Sequence, residues 1–528
     1  MKSYHKYSLL AILATAFSFS ACTKLDVQPK SALTPDNFPN TPAQLLAATG
    51  PIYTAFRAGP ARGSWLALNL SADENVLVAR GGNWYDGANY SQLNLHTYNA
   101  DNGVLTGTWS WGFTTISTCN KVLTLFANVA EDATKKQTVA EIKTMRALAY
   151  FYMMDMYGNI PITTTFGDAS DLGTKPRTEV FNFIEKELLA QIPDLSETVG
   201  AVTYGRPTKY LAYALLAKMY LNAAYYTGTA RYDDAVKMCD NIIVANKYAL
   251  DADYLGMFKA NNGPQIKDFI YAIPFDAQQA KEQYYARWTL NPNLKNKYKM
   301  PYAPDGPMYT FKEFYALFND NNDIRKKQYL VGKQFNNDGT PINITTTNIG
   351  LDASYSGPNP TAPVTRQLEF TLDIVWKNNA TFDIGNDELA NQSGARNNKF
   401  YPDSLSTDRN QGNDFPMFRY ADVLLEKAEA ILRGGAATNG DTPIGLVNAV
   451  RARANAGALS SVTLSTILDE RGRELAVECW RRNDLIRYGQ YEKTWGIKTD
   501  ADPNKRIYPI PRAELQLNSK LVQNPGYN

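Results

Sequence analysis

The sequence predicts a mainly α-helical protein in which helix pairs stack side by side as a scaffold around a long, loop-rich insertion with a few short strands. Three observations carry this reading. Apolar residues recur at helical spacing in successive segments between 135 and 250. The same periodicity resumes after 418. Between about 251 and 415, Gly, Pro, Asn and Asp crowd together in runs such as NPNLKNKYKMPYAPDGP and YSGPNPTAP, and periodic apolar stretches become scarce.

The chain opens on MKSYHKYSLLAILATAFSFSAC, where Lys2 and Lys6 precede an apolar run from Ser8 to Phe19 that is too short for a permanent membrane helix. It reads as a lipoprotein signal over residues 1–21, with Cys22 the residue acylated after cleavage. No later stretch has the length of about 20 consecutive apolar residues that a membrane helix needs, so the expected contact with membrane is the lipid anchor only.

A helix is expected over 135–161, where Val139, Ile142, Met145, Ala149 and Met153 share a face and Gly158 and Pro161 stop it. TEVFNFIEKELLAQIP (178–193) and PTKYLAYALLAKMYLNAAYY (207–226) follow. In the second, Ala212, Leu216, Met219 and Ala223 form a stripe whose alanines admit a close neighbour. RYDDAVKMCDNIIVANKYAL (231–250) completes the series, and the order Leu216, Ala217, Tyr220, then Tyr232 and Ala235 resembles a loose tetratricopeptide helix-turn-helix. Within the insertion, EFTLDIVWK (369–377) is a candidate strand. Helices are expected again at 418–433, 443–454 and 464–489, and another at 120–126, with Trp109 and Trp111 before it as core.

Composition excludes several functions. Losing Lys2 and Lys6 with the signal takes 54 basic side chains to 52, against 52 acidic ones, which leaves no footprint for nucleic acid. Cys119, Cys239 and Cys479 are odd in number and far apart, so they read as buried free thiols, not as a disulfide framework or metal site. With His5 in the signal, His96 is the only histidine left, which argues against His-rich metal centres. FNDNND (318–323) alternates oxygen ligands, but it lacks the Gly and terminal Glu of an EF-hand loop. A solvated turn is expected there, with structural calcium as the alternative; no cofactor is expected.

Several segments together resemble the SusD/RagB family of nutrient-binding outer-membrane lipoproteins. They are RYADVLLEKAEA (419–430), ERGRELAVECWRRNDLIRYG (470–489) and IYPIPRAELQLNSKLVQNPGY (507–527), supported by Arg146–Pro161, KPRTEV from 175 and GRPTKYLAYALLAKMYL from 205. Cys479 stands where the family usually shows Gly. The resemblance implies a single domain over 22–528, with a right-handed superhelical scaffold of tetratricopeptide-like pairs over about 41–250 and 416–528 and a ligand-side region over about 251–415. It also implies a non-catalytic, surface-facing protein of the outer membrane that captures oligosaccharide or polysaccharide and delivers it to a TonB-dependent, SusC-like transporter. A peptide or other nutrient on the same scaffold is the alternative, and a two-carboxylate glycoside hydrolase a remoter one. Glu470, Arg473, Glu474, Glu478, Arg481 and Arg482 lie three or four apart and are expected to pair as scaffold.

The family's ligand contacts vary between members, so the site must be chosen on physical grounds. A pyranose offers apolar faces and an equator of hydroxyls, which call for flat aromatics with amides and charged groups around them. RGGNWYDGANY (80–90) supplies Arg80, Asn83, Trp84, Tyr85, Asp86 and Tyr90 with nothing aliphatic nearby in sequence for the rings to plug into. A second stretch, 283–302, supplies Tyr284, Tyr285, Arg287, Trp288 and Asn291. A third, weaker one has Trp376, expected to plug its loop to the core, followed by Arg396, Asn397, Asn398 and Tyr401. Asp73, in the SADE run, is expected to serve loop geometry.

Overall fold

The structure is a computed structural model that describes residues 38–39, 41–346, 362–385 and 390–527. The signal over 1–21, the acylation site Cys22 and most of YSGPNPTAP lie outside the described residues.

The expected helices are present, as Ala133–Tyr157, Arg177–Gln191, Lys209–Leu221, Tyr232–Ile243, Tyr420–Leu432 and Pro443–Arg453. Each packs on the next, with Gly103–Leu125 against the first and Tyr232–Ile243 bridging to Tyr420–Leu432, so N- and C-terminal helices form one continuous array. The ends follow the sequence. Asn102 caps Gly103–Leu125 by accepting from the Val104 and Leu105 amides, and Asp132 caps Ala133–Tyr157 through Lys135. Gly158, with φ of 69°, ends the latter. The alanines of Lys209–Leu221 are all buried, as their small size allows when neighbours approach on several sides. Trp109 and Trp111 are core, but within the helix itself, which starts well before 120.

Two further expectations are corrected, and one stretch of the expected scaffold proves helical. Short helices at Pro42–Ala48, Gly50–Arg57 and Gly63–Leu70 precede the array; every residue of Gly63–Leu70 except its first is buried, so it has no amphipathic signature to read. The 464–489 helix is two, Leu464–Glu474 and Arg481–Arg487. Between them Val477 and Cys479 have φ of 59° and 71°. The freed backbone is bound from elsewhere: Tyr254 and Arg419 donate to the Glu474 carbonyl, Lys399 to those of Glu474 and Ala476, and Trp65 to that of Val477. The left-handed backbone at Cys479 also gives the physical reason for a glycine preference at that position. Finally, EFTLDIVWK forms a strand only at Glu369–Phe370. Beyond it the chain turns, with Lys377 N donating to Asp383 O.

The insertion is built from two-stranded pairs. Asn75–Leu77 pairs antiparallel with Met308–Thr310, and Phe269–Ile273 with Phe415–Arg419. The first pair fixes the site, because it carries the chain from residue 78 onward up against the segment that precedes 308.

Candidate functional site

The 80–90 loop leaves the Asn75–Leu77 strand under close control. Val78 N donates to Pro307 O and Ala79 N to Phe382 O, both at 2.9 Å. The Asp383 carboxylate then accepts from Gly81 N and Gly82 N, each at 2.9 Å. Arg80 and Asn83 exchange backbone hydrogen bonds of 2.8 and 3.2 Å, and Asn89 Nδ2 donates to Asp86 O at 2.6 Å.

Held this way, the backbone enters the left-handed region at Trp84, Asp86 and Ala88, with φ of 67°, 45° and 65°. For a residue with a side chain this conformation costs about 1–2 kcal/mol, and such strain persists where the surroundings impose it, which is common at ligand sites. The consequence here is placement: Trp84 is turned onto the surface of the insertion without being sealed in the core.

The structure brings the first two aromatic stretches together. The Arg287 guanidinium lies 5.4 Å from the Trp84 ring centroid and 5.8 Å from that of Tyr284, while Tyr90 tilts at 43° against Trp84 with centroids 6.5 Å apart. Arg62 stands 5.1 Å from the Tyr284 ring. Asp305 accepts a hydrogen bond from Arg287 Nε, and Arg409 lies 3.6 Å from the same carboxylate. Burial, and next the Asp86 carboxylate, push the Tyr90 hydroxyl well above its usual range, so it is a fixed donor. Trp84 and Tyr90 are half-buried and rest on the core, whereas Tyr85 is 38% exposed. Asn83 and Asp86 are exposed beside them and Arg80 is half-buried. The result is a partly open aromatic surface ringed by guanidinium, carboxylate and amide groups, the combination a pyranose needs.

Tyr285 and Trp288 do not belong to that surface. They are 3% and 4% exposed, and Trp288 stacks on Trp65 at 5.1 Å and 12° while Tyr285 meets the edge of the same indole at 5.3 Å. Tyr285 Oη donates to Asn397 Oδ1 at 2.6 Å. Trp65 comes from the buried helix Gly63–Leu70, some 220 residues away in sequence, which is why two aromatics among polar neighbours read as exposed. Asn291 is likewise buried, donating to Asn391 O.

The third stretch supports without facing the platform. Trp376 packs on Phe382 at 5.1 Å, as a plug. Arg396 is fully buried with its guanidinium 3.4 Å from the Tyr309 ring centroid. The contribution of this region to the site is Asp383. Sequence reasoning also missed Arg62, Asp305 and Arg409, which no local pattern ties to Trp84.

Scaffold charges behave differently. Arg419 donates to Asp268 at 2.9 Å, Glu474 at 2.8 Å and Glu478 at 2.7 Å, all fully buried. Arg325 binds Asp323, Glu470 and Glu474, and Arg453 binds Asp268 and Glu474. Burial alone would raise the Glu474 carboxyl, but Arg453, Arg419 and Arg325 outweigh it and hold it far below the usual range. Asp73, expected to serve loop geometry, instead pairs with Arg481 of the C-terminal helices at 2.8 Å. FNDNND is a turn with Asn319, Asn321 and Asn322 exposed, as expected, while its last residue, Asp323, is buried on Arg325; Asp320 accepts from the Asn322 and Gly457 amides. Among the described residues no group of three or more His, Cys, Asp or Glu is placed to hold a metal ion, and the three described cysteines are buried and free.

The family model described as "SusD family" matches residues 217–527, more than half of the chain. The chain belongs to the SusD family. A second model, "Starch-binding associating with outer membrane", matches residues 25–221. Among relatives, the "Starch-binding protein SusD" of Bacteroides thetaiotaomicron is 27% identical over 446 residues, covering 76% of this chain and 75% of its own. Among solved structures, a "Laminarin binding SusD-like protein" superposes with a TM-score of 0.70 at 22% identity, over 92% of this chain and 100% of that one. Surface glycan-binding protein A of Bacteroides thetaiotaomicron, solved with laminarihexaose, gives 0.68 at 21% identity, over 91% and 99%. The SusD-like fold of this chain is therefore the tetratricopeptide-like helical one.

Proposed function

We propose that this SusD-like protein binds carbohydrate at the cell surface, holding an oligosaccharide on Trp84, Tyr85 and Tyr90 with Arg287, Asn83 and Asp86 around them. It performs no catalysis and hands its cargo to a TonB-dependent transporter of the SusC type. The observation that carries the reading is the Trp84 ring, set in a strained loop and flanked by Tyr90 and Arg287. The similar proteins' own ligands, starch and laminarin, favour the same class of ligand. The family description favours the outer membrane, and the MKSYHKYSLLAILATAFSFSAC start favours a lipid anchor on Cys22.

The chemistry follows from shape. A flat indole covers the C–H face of a sugar ring at small entropic cost, and the guanidinium, carboxylate and amide groups pair with its hydroxyls. Native gels cast with starch or laminarin test this directly: the protein is expected to be retarded by polysaccharide, and the Trp84→Ala variant to run freely. Retention of a peptide mixture with no retardation by any glycan would replace the ligand class, and release of reducing sugar would overturn the absence of catalysis.

A further inference from the structure

Two guanidiniums share one ring beside the platform. Arg62 lies 5.1 Å and Arg287 5.8 Å from the Tyr284 ring centroid, and Arg287 lies 5.4 Å from that of Trp84 as well. Cations and rings therefore follow one another from Arg62 through Tyr284 and Arg287 to Trp84, and the two guanidiniums are neighbours across a single ring.

Carboxylates do not keep pace with these cations. Arg287 uses only Nε on Asp305, which leaves both of its Nη groups for a ligand. Arg409, with half of its side chain exposed, stands 3.6 Å from the same carboxylate, so two guanidiniums share one anion. Arg62 is exposed and, among the described residues, has neither an ion pair nor a side-chain hydrogen bond. Asp86 is bonded to the Tyr90 hydroxyl at the other end of the platform, and Glu282, two residues before Tyr284, forms no ion pair among the described residues.

The sequence around the ring has the same sign. From 283 to 302 it carries Arg287, Lys295, Lys297 and Lys299 and no acidic residue, in a chain with 54 basic and 52 acidic side chains. None of the three lysines forms an ion pair among the described residues, and each is half-buried or exposed. A lone solvated arginine would mean little. Here the unpaired guanidinium is stacked on a ring, next to a second one that already touches the platform. Guanidinium bonds to ionised oxygens are roughly twice as strong as bonds between neutral groups, so such a strip discriminates by charge.

We propose that the preferred glycan of the Trp84 platform is an anionic one, whose carboxylate or sulfate groups pair with Arg62 and Arg287 beside Tyr284. The inference rests on the platform reading and adds to it the charge of the ligand.

The test compares polymers that differ in charge on one backbone: polygalacturonate against its methyl ester, and dextran sulfate against dextran, titrated into the full chain by calorimetry. At least one charged polymer is expected to bind about tenfold more tightly than its neutral partner. The pair that shows the margin identifies carboxylate or sulfate as the group read. Screening should shrink the margin between about 50 and 500 mM salt. Arg62→Gln, at an exposed position, should reduce it to about threefold or less, whereas Arg62→Lys, which keeps the charge, should retain most of it. Trp84→Ala should weaken binding of charged and neutral polymers alike. Equal affinities within both pairs, no binding of any of the four, or a margin that survives Arg62→Gln would overturn the proposal. The platform reading still stands if Trp84→Ala abolishes retardation by starch or laminarin, and falls with the proposal if charged polymers bind that variant as tightly as wild type.

Discussion

The buried charges of the C-terminal helices and the 80–90 loop are both dense in polar and aromatic side chains, yet they solve opposite problems. Around Arg419 and Glu474 the carboxylates of Asp268, Glu474 and Glu478 are met by guanidinium or ammonium groups out of reach of solvent. In the loop, bonds to Asp383 and Asn89 hold the backbone in costly conformations while the side chains stay partly open. The first arrangement spends its polar groups on itself. The second keeps them available, and that difference separates scaffold from site more sharply than composition does.

The comparison makes predictions that can break it, the largest first. Arg419→Ala leaves buried Asp268, Glu474 and Glu478 short of a cation and is expected to destabilise the fold by about 3–5 kcal/mol, read by urea or thermal unfolding. Trp288→Ala should behave like a core deletion, also about 3–5 kcal/mol. Loss of glycan affinity at unchanged stability would instead return Trp288 to the ligand surface.

Acid should weaken the scaffold. Burial opposes ionisation of Glu429, but Arg487 and Arg433 outweigh it and lower its carboxyl from 4.5 to about 2. A depressed carboxyl supplies stability that is present above about pH 4.5 and lost as pH falls toward 2, here about 3 kcal/mol. Glu74, raised by burial to about 8, runs the other way: its contribution is present below about pH 4.5 and declines as pH rises toward 8. Glu74→Gln should therefore flatten a stability–pH curve between about pH 4.5 and 8. The smallest expected effect is that of Asp383→Ala, which frees Gly81 and Gly82 and should weaken glycan binding by about 1 kcal/mol through lost preorganisation, with little change in melting.

Much of the fold was legible because long helices such as Ala133–Tyr157 run through many helix formers with clear ends, a capping Asp132 and a terminal Gly158. Gly63–Leu70 was not, because it is only eight residues long, has no side-chain cap and is buried on all sides. The break after Glu474 was hidden too, since side chains from Lys399, Tyr254 and Trp65 decide it. Of the proposed site, Trp84, Tyr85 and Tyr90 are chosen for their company of Gly, Asn and Asp and lie at least partly open, whereas Tyr285 and Trp288, in similar company, are covered by Trp65. Arg287 could be named, but its place over Trp84 depends on the pairing of Asn75–Leu77 with Met308–Thr310, which no local pattern encodes.

The central claim is that Trp84 serves ligand and not fold. Titration calorimetry of wild type and Trp84→Ala with a polysaccharide that retards the wild type, alongside melting of both proteins, tests it most directly. The expected result is a loss of about 1–3 kcal/mol in binding, large against a weak millimolar interaction near 4 kcal/mol, with unfolding unchanged. Equal affinities, or a variant that melts far below the wild type, would contradict it.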